Sequence, residues 1–207
     1  ERTLLVDVAI PAGAASIFLN LNQTYGVLDA INDGSRCDST LVDTAFARHP
    51  GSGLYVLSLP EDVIGRPPID GEELVQLLGV LRTLFGCIVV SFDGHLPLHV
   101  LRGLIGLCDR TLFMTDQSIL KSRHSKYLLR ALRLDDCPLD RVSLVVDNYR
   151  KRVGLEPQNL SELLDLPVAA TLSTLPANRI QSMNQGEPMF VCTPKDEYCD
   201  AVRQLAA

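Results

Sequence analysis

The sequence predicts an α/β fold: a mostly parallel, doubly wound sheet with helices on both faces. Three observations lead there. Short apolar, β-favouring runs alternate with segments of helical period along the whole chain. Several runs, such as Cys87–Val90, are apolar at successive rather than alternate positions, as strands covered on both faces require. The segments between them are long enough for right-handed crossover helices, which parallel neighbours need.

Taken in order, Thr3–Val8 reads as a buried strand. Val27–Asn32 and Thr40–Arg48 read as helices, the second capped by Asp38 or Ser39. Leu54–Leu59 is a strand. Asp70 opens a helix, with Glu73 completing a capping box, and Leu74, Leu77, Leu78, Leu81 and Leu84 form its stripe to about Phe85. The Cys87 strand follows, then a helix over Pro97–Leu107, a strand over Arg110–Thr115 and a long helix over Ser118–Leu134. Val142–Val146 is a strand, Asn159 or Ser161 starts a short helix, and Val168–Leu172 is a strand. Pro176–Gln185 and Pro194–Leu205 close the chain as helices. Residues 51–53 and 65–68 are glycine- and proline-marked loops, and neither has the composition of a domain linker.

The totals exclude several classes. The chain has 207 residues, of which 46% are hydrophobic and 21% charged, as in a globular domain. No apolar run approaches the roughly 20 residues of a transmembrane helix, and no signal-peptide pattern is present. A net charge of −6 argues against a mainly electrostatic nucleic-acid binder, so DNA is not an expected partner. The six cysteines include no CxxC pair, and they read as buried thiols of a reducing compartment. The chain opens without Met, directly in a strand-like run, and reads as part of something longer.

The stretch "FGCIVVSFDGHLPL" (85–98) poses the central chemical question. A parallel strand delivers its last polar residues to the carboxyl edge, where ligands bind. Here the strand ends in Ser91, with Asp93 two residues later, roughly 6–7 Å further along the same direction. No GxxxxGK[ST] or GxGxxG motif accompanies it, and no lysine precedes Lys121, so this chain carries no evident cradle for a triphosphate. Ser91, Asp93, His95 and His99 do not form a hydrolase triad, because residues along one strand do not converge. His95 and His99 lack a third zinc ligand and read as surface or interface histidines. "LKSRHSKYLLRALRL" (120–134) is a basic amphipathic helix: a sheet-covering element, or an interaction face for a protein, DNA or anionic lipid.

The segments "LLVDVAIPAGAASIFLNL", "LVDTAFARHPGSGLYVLSLPED", "CIVVSFDGH", "LVVDNYRKRVGLEPQNLSELLDLPVAATL" and "SMNQGEPM" resemble, in order and spacing, the ATPase-like domain of CpaE/TadZ proteins. These belong to the ParA/MinD group of deviant-Walker ATPases and serve Tad (Flp) pilus assembly. The resemblance implies a P-loop NTPase-like fold in a single domain over residues 1–207, whose first strand and P-loop precede Glu1. It makes Asp7 the first aspartate of the family's DxD, with Ala9 in place of the second, and puts Ser91 where the Walker B aspartate stands. Asp147 or Asn148 lies near the base-contacting asparagine. With Ala9 and Ser91 both present, the expected protein is a scaffold or localisation factor for pilus assembly and secretion, with weak or absent hydrolysis. The alternatives are a working Mg-ATPase using Asp93 as a displaced metal ligand, with its P-loop upstream, and an unrelated α/β binding module. No cofactor is expected in this chain; ATP and Mg²⁺ enter only through the family. The implied setting is cytoplasmic, with recruitment to the inner membrane or cell pole by partners. A homodimer is expected through the face carrying Asp7–Gly13 and Ser91–His95, with Pro11 and Gly13 as contacts. A second face offers Tyr127 and Arg130.

Overall fold

β1 (Thr3–Asp7) lies between two parallel neighbours, β3 (Tyr55–Ser58) and β4 (Cys87–Ser91), and β3 in turn pairs antiparallel with the two-residue β2 (Ala47–Arg48). These four strands form the sheet of one unit, Glu1–Val100 with Met183–Glu187; a second unit comprises Leu101–Ser182 and Pro188–Ala207. The computed structural model describes residues 2–10, 12–60, 69–173 and 176–206, so Pro11 and the predicted loop at 65–68 lie outside the described residues.

In the first unit the helices are α1 (Ala14–Phe18), α2 (Val27–Asp33), α3 (Ser39–Ala45) and α4 (Gly71–Leu81), with a 3-10 turn at Gly34–Arg36. The predicted caps operate: Asp38 accepts the Leu41 N–H, and Asp70 accepts those of Glu72 and Glu73. α4 buries Leu74, Leu77, Leu78 and Leu81, and Leu4, Val6, Val56 and Leu57 from the strands are fully buried as well. Each large apolar side chain buried on this face contributes roughly 1.5–3 kcal/mol to holding the unit together.

An aromatic cluster corrects two expected boundaries. The helix expected to run to Arg48 stops at Ala45, because Phe46 turns inward and Ala47–Arg48 pair with Val56 and Tyr55. The helix expected to reach Phe85 stops at Leu81, and Phe85 joins the same cluster. Phe46 stacks on Tyr25 at 5.6 Å and on Phe85 at 6.2 Å, and Phe85 meets Tyr55 edge-on at 5.4 Å. The Tyr55 ring carries guanidinium groups of Arg2 and Arg48 at 5.5 and 5.2 Å, and its hydroxyl donates to Asp43, which also pairs with Arg2.

The chain leaves the first unit within α5 (Leu98–Leu107). The second unit alternates β5 (Thr111–Thr115), α6 (Ile119–Leu134), β6 (Val142–Asp147), α7 (Pro157–Leu164) and β7 (Val168–Leu172), then α8 (Pro176–Gln185), α9 (Met189–Cys192) and α10 (Glu197–Ala206). Its strands are all parallel, in the order β5-β6-β7, with a register shift at Leu144/Val145. Leu129, Leu144, Val145, Val146, Leu160 and Leu164 are fully buried. The mostly parallel α/β arrangement with helices on both sides is thus as predicted.

Four further expectations need correction. α7 begins at Pro157, a residue preorganised for the first helical position, rather than at Asn159 or Ser161. The last helix begins at Glu197 rather than Pro194, and α1 and α9, of five and four residues, carry too few turns for a periodic signal. Cys87, expected to be buried, is exposed on β4, whereas Cys37, Cys137 and Cys199 are buried thiols.

Phe46→Ala removes the central ring of the aromatic cluster from a site 6% exposed. The expected loss is about 3–5 kcal/mol of unfolding free energy, read as a lower urea midpoint with unchanged slope.

Candidate functional site

The register aligns three polar residues at the carboxyl ends of neighbouring strands: Ser58 of β3 and Ser91 of β4 both sit opposite Asp7 of β1. Asp7 is only 3% exposed. Its Oδ1 accepts the Ala9 N–H at 3.3 Å and its Oδ2 accepts the Ala15 N–H at 3.0 Å. The carboxylate therefore spans the loop between β1 and α1 and ties both of its ends to the strand. Gly13, the N-cap of α1, adopts φ 74°, which lets the chain reverse into the helix next to this clamp.

Asp93 performs the same service from the other side. It lies past the end of β4 in a turn, and its Oδ2 accepts the Ile10 N–H at 2.7 Å. Its Oδ1 accepts the His95 N–H at 2.8 Å and lies 3.0 Å from His95 Nδ1. Burial alone would push this carboxyl up, but the N–H groups of Ile10 and His95, together with the His95 ring, hold it below the ordinary carboxylate range. The side chain of Ala9 supplies neither an acceptor nor a base.

A buried hydroxyl–amide network completes this edge, and sequence reading missed it. Ser16 Oγ donates to Gln23 Oε1 at 2.6 Å and lies 2.9 Å from Ser58 Oγ. The Gln23 amide also pairs with the backbone of Ser58, accepting its N–H at 3.1 Å and donating to its carbonyl at 2.9 Å. A side chain thus extends the ladder where β3 ends. A Cβ on Gly26 would sit 2.8 Å from the Ser58 carbonyl, so glycine allows this close approach. The one available signal was the polar end of the β3 run at Ser58.

The second unit gathers the other predicted residues differently. Asp147 closes β6 and forms a two-pronged ion pair with Arg179, whose guanidinium also lies 5.2 Å from the Tyr198 ring. Asn148, at φ 51°, is exposed. It lines a cavity of about 460 Å³ with Asp116, Gln117, Ser118, Arg150 and Val153. Gln117 pins that cavity's loop, accepting the Arg150 N–H at 2.7 Å and donating to the Leu155 carbonyl at 3.1 Å. His95 and His99 join no metal-binding cluster among the described residues.

The residues of this chain do not fit a Mg–nucleotide centre. Phosphoryl transfer needs charge neutralisation and a positioned water. At this edge Asp7 and Asp93 are engaged by backbone N–H groups, Asp147 of the second unit is paired with Arg179, and Ser91 is uncharged. What the arrangement can do is hold the β1–α1 loop in one shape.

Asp7→Ala orphans the N–H groups of Ala9 and Ala15, and should cost about 1–3 kcal/mol for each, with protease sensitivity rising between β1 and α1. Asp93 has a folded-state pKa below its unfolded value, so its contribution is complete above about pH 4 and is lost as pH falls through the folded value. The stability gap between wild type and Asp93→Asn, followed by urea unfolding, should therefore be constant at neutral pH and close under acid.

No family model and no curated protein matches the sequence. Solved structures do. A ParA family ATPase from Chlorobium tepidum superposes with a TM-score of 0.86 at 18% identity, over 97% of this chain and 83% of that one. MinD from Pyrococcus horikoshii, complexed with Mg-ADP, gives 0.77 at 16% identity, over 99% and 82%. The MinC:MinD cell division complex of Aquifex aeolicus gives 0.76 at 18% identity, over 100% and 82%. At such identities the likeness is one of fold, and the chain has the fold of the ParA/MinD ATPases.

Proposed function

We propose that this chain is a non-hydrolysing ParA/MinD-like scaffold or localisation protein of the CpaE/TadZ type, serving Tad/Flp pilus assembly and secretion. The observation that carries the scaffold reading is the use of Asp7 and Asp93 as backbone clamps beside Ala9 and Ser91. The pilus assignment rests on the sequence segments. Partner binding by this fold has a parallel in the Aquifex MinD, which forms a complex with MinC.

The scaffold is proposed to act as a homodimer through the loop that Asp7 and Asp93 hold. Ile10, Ile17 and Phe18 beside it are 54%, 53% and 45% exposed, apolar surface that a second copy would cover. A stable pair needs about 800 Å² per partner.

The second reading, a working ATPase completed by an upstream strand and P-loop, draws support from β4. This strand ends its sheet. Its bonds from Cys87 to Arg2 and from Val8 to Ser91 direct alternate residues toward β1. The N–H and C=O groups of Ile88 and Val90 therefore face the open edge, and Val89 is 52% exposed. Such an edge suits an added parallel strand, which scaffold and enzyme alike could possess.

Phosphate release with Mg-ATP should stay at background for the chain, alone and extended by any residues preceding Glu1. Turnover abolished by Asp93→Ala would favour the enzyme. Light scattering at micromolar concentration should give a dimer that Gly13→Arg disrupts and Tyr127→Ala does not; a monomer throughout, in the extended chain too, would remove the dimer proposal. Hydrogen exchange at the Ile88 and Val90 amides should slow when preceding residues are included, and unchanged exchange would remove the added strand.

A further inference from the structure

α6 is built with its faces exchanged at one end. Its buried positions are Ser122, Ser125, Leu129 and Leu132, so serines pack inward over the first half. Ser122 Oγ satisfies itself on the Ser118 carbonyl at 2.7 Å, and Ser125 Oγ lies 3.4 Å from Thr115 Oγ1. Meanwhile Ile119 and Leu120 are each 68% exposed, and Tyr127 and Leu134 are 61% and 78% exposed on the same side of the helix. A helix that serves only to cover a sheet places these residues the other way round.

A second segment adds to the exposed end. The loop after β6 is pinned to Gln117, two residues before α6, by three hydrogen bonds: Arg150 N–H to Oε1, Nε2 to the Leu155 carbonyl, and the Leu155 N–H to the Gln117 carbonyl at 3.2 Å. The fit is close, since a Cβ on Gly154 would lie 2.7 Å from that carbonyl. This pin holds Val153, 72% exposed, beside the start of α6. Three apolar tips from two segments therefore project at one end of the helix.

Cations surround them. α6 carries five Lys or Arg residues and no Asp or Glu, in a chain of net charge −6. Arg133 is used internally, bonding the Leu164 and Asp165 carbonyls. Arg123, Lys126 and Arg130 are exposed, and none forms an ion pair among the described residues; Arg150, Lys151 and Arg152 are exposed in the pinned loop. The nearest acids are already engaged: Asp116 accepts the Ser118 N–H and hydroxyl, and Glu156 accepts Tyr149 and the Arg152 N–H.

We infer that this face docks on an anionic membrane surface, with Ile119, Leu120 and Val153 inserted at the headgroup boundary and the surrounding Arg and Lys side chains meeting lipid phosphates. Projecting apolar tips ringed by cations match an interface that is negatively charged outside and apolar just beneath. A second copy of the chain would bring like charges together. Duplex DNA would take the cations but leave the aliphatic tips in water. No helix among the described residues is long and apolar enough to cross a membrane, and surface docking needs none.

The test is flotation of the 207-residue chain with vesicles of phosphatidylcholine, with and without phosphatidylglycerol. Binding should require phosphatidylglycerol and weaken with added salt. Leu120→Ser and Val153→Ser should each lower partitioning, about tenfold where the side chain inserts fully. Arg150→Ala should lower it about fivefold at low salt and less at high salt. All three positions are exposed, so unfolding midpoints should not move. A Leu120→Trp variant should shift its emission to the blue on anionic vesicles. The inference fails if anionic vesicles do not bind at low salt, or if both serine variants bind as wild type. It also fails if duplex DNA or an acidic amphipathic peptide binds through these residues more tightly than the vesicles.

Discussion

The buried Asp7 carboxylate is the constraint around which the first unit's working edge is organised. A carboxylate 3% exposed is costly unless its oxygens are satisfied, and here the donors are the backbone N–H groups of Ala9 and Ala15. The charge therefore stays buried only while the chain leaves β1, turns at Gly13 and enters α1 along one path. Asp93 reinforces that path through Ile10. The cost of burying the charge and the order of the loop depend on each other, which explains how a five-residue helix, too short to persist by itself, is held in place.

The second unit uses the same device in neutral form. Gln117 anchors the loop after β6 through its amide, and Arg179 closes the end of β6 by pairing with Asp147 and lying against Tyr198. In the first unit the strand-end Asp7 fixes a loop, and in the second Asp147 at the end of β6 is taken up by Arg179 of α8. That is a different employment of the carboxyl edge from the binding of a metal–phosphate group, on a fold shared with the ParA/MinD ATPases. Exposed Ile10, Ile17 and Phe18 in one unit and the outward side of α6 in the other are among the apolar surfaces left open to solvent.

Local signals and tertiary context divided the chain along physical lines. The alternation of apolar runs and capped helices was legible in the residues themselves. So were the caps Asp38 and Asp70, the leucine stripe of α4 and the span Val168–Leu172, because each depends on neighbours within a few positions. The presence of Ala9 and Ser91 at this edge was legible too, being a property of residue order alone.

What only the tertiary structure decided lies in contacts between distant residues. Phe46 and Phe85 ended their helices early because an aromatic cluster joining residues 21 to 39 positions apart outweighed the local helical period. Asp93, a displaced metal ligand only in the alternative reading of the sequence, accepts the N–H of Ile10, 83 residues away, a contact no local pattern announces. Asp147 met Arg179 at a separation of 32. Gln23 completed the β3 ladder at Ser58, 35 residues on, with no motif to announce it. The pattern of a helix shows which side is more apolar, but only packing determines which side is turned inward; in α6 the serines went in and Ile119 and Leu120 stayed out. Hydrogen-bond satisfaction and burial are decided in three dimensions, and a sequence carries them only where the partners are also neighbours along the chain.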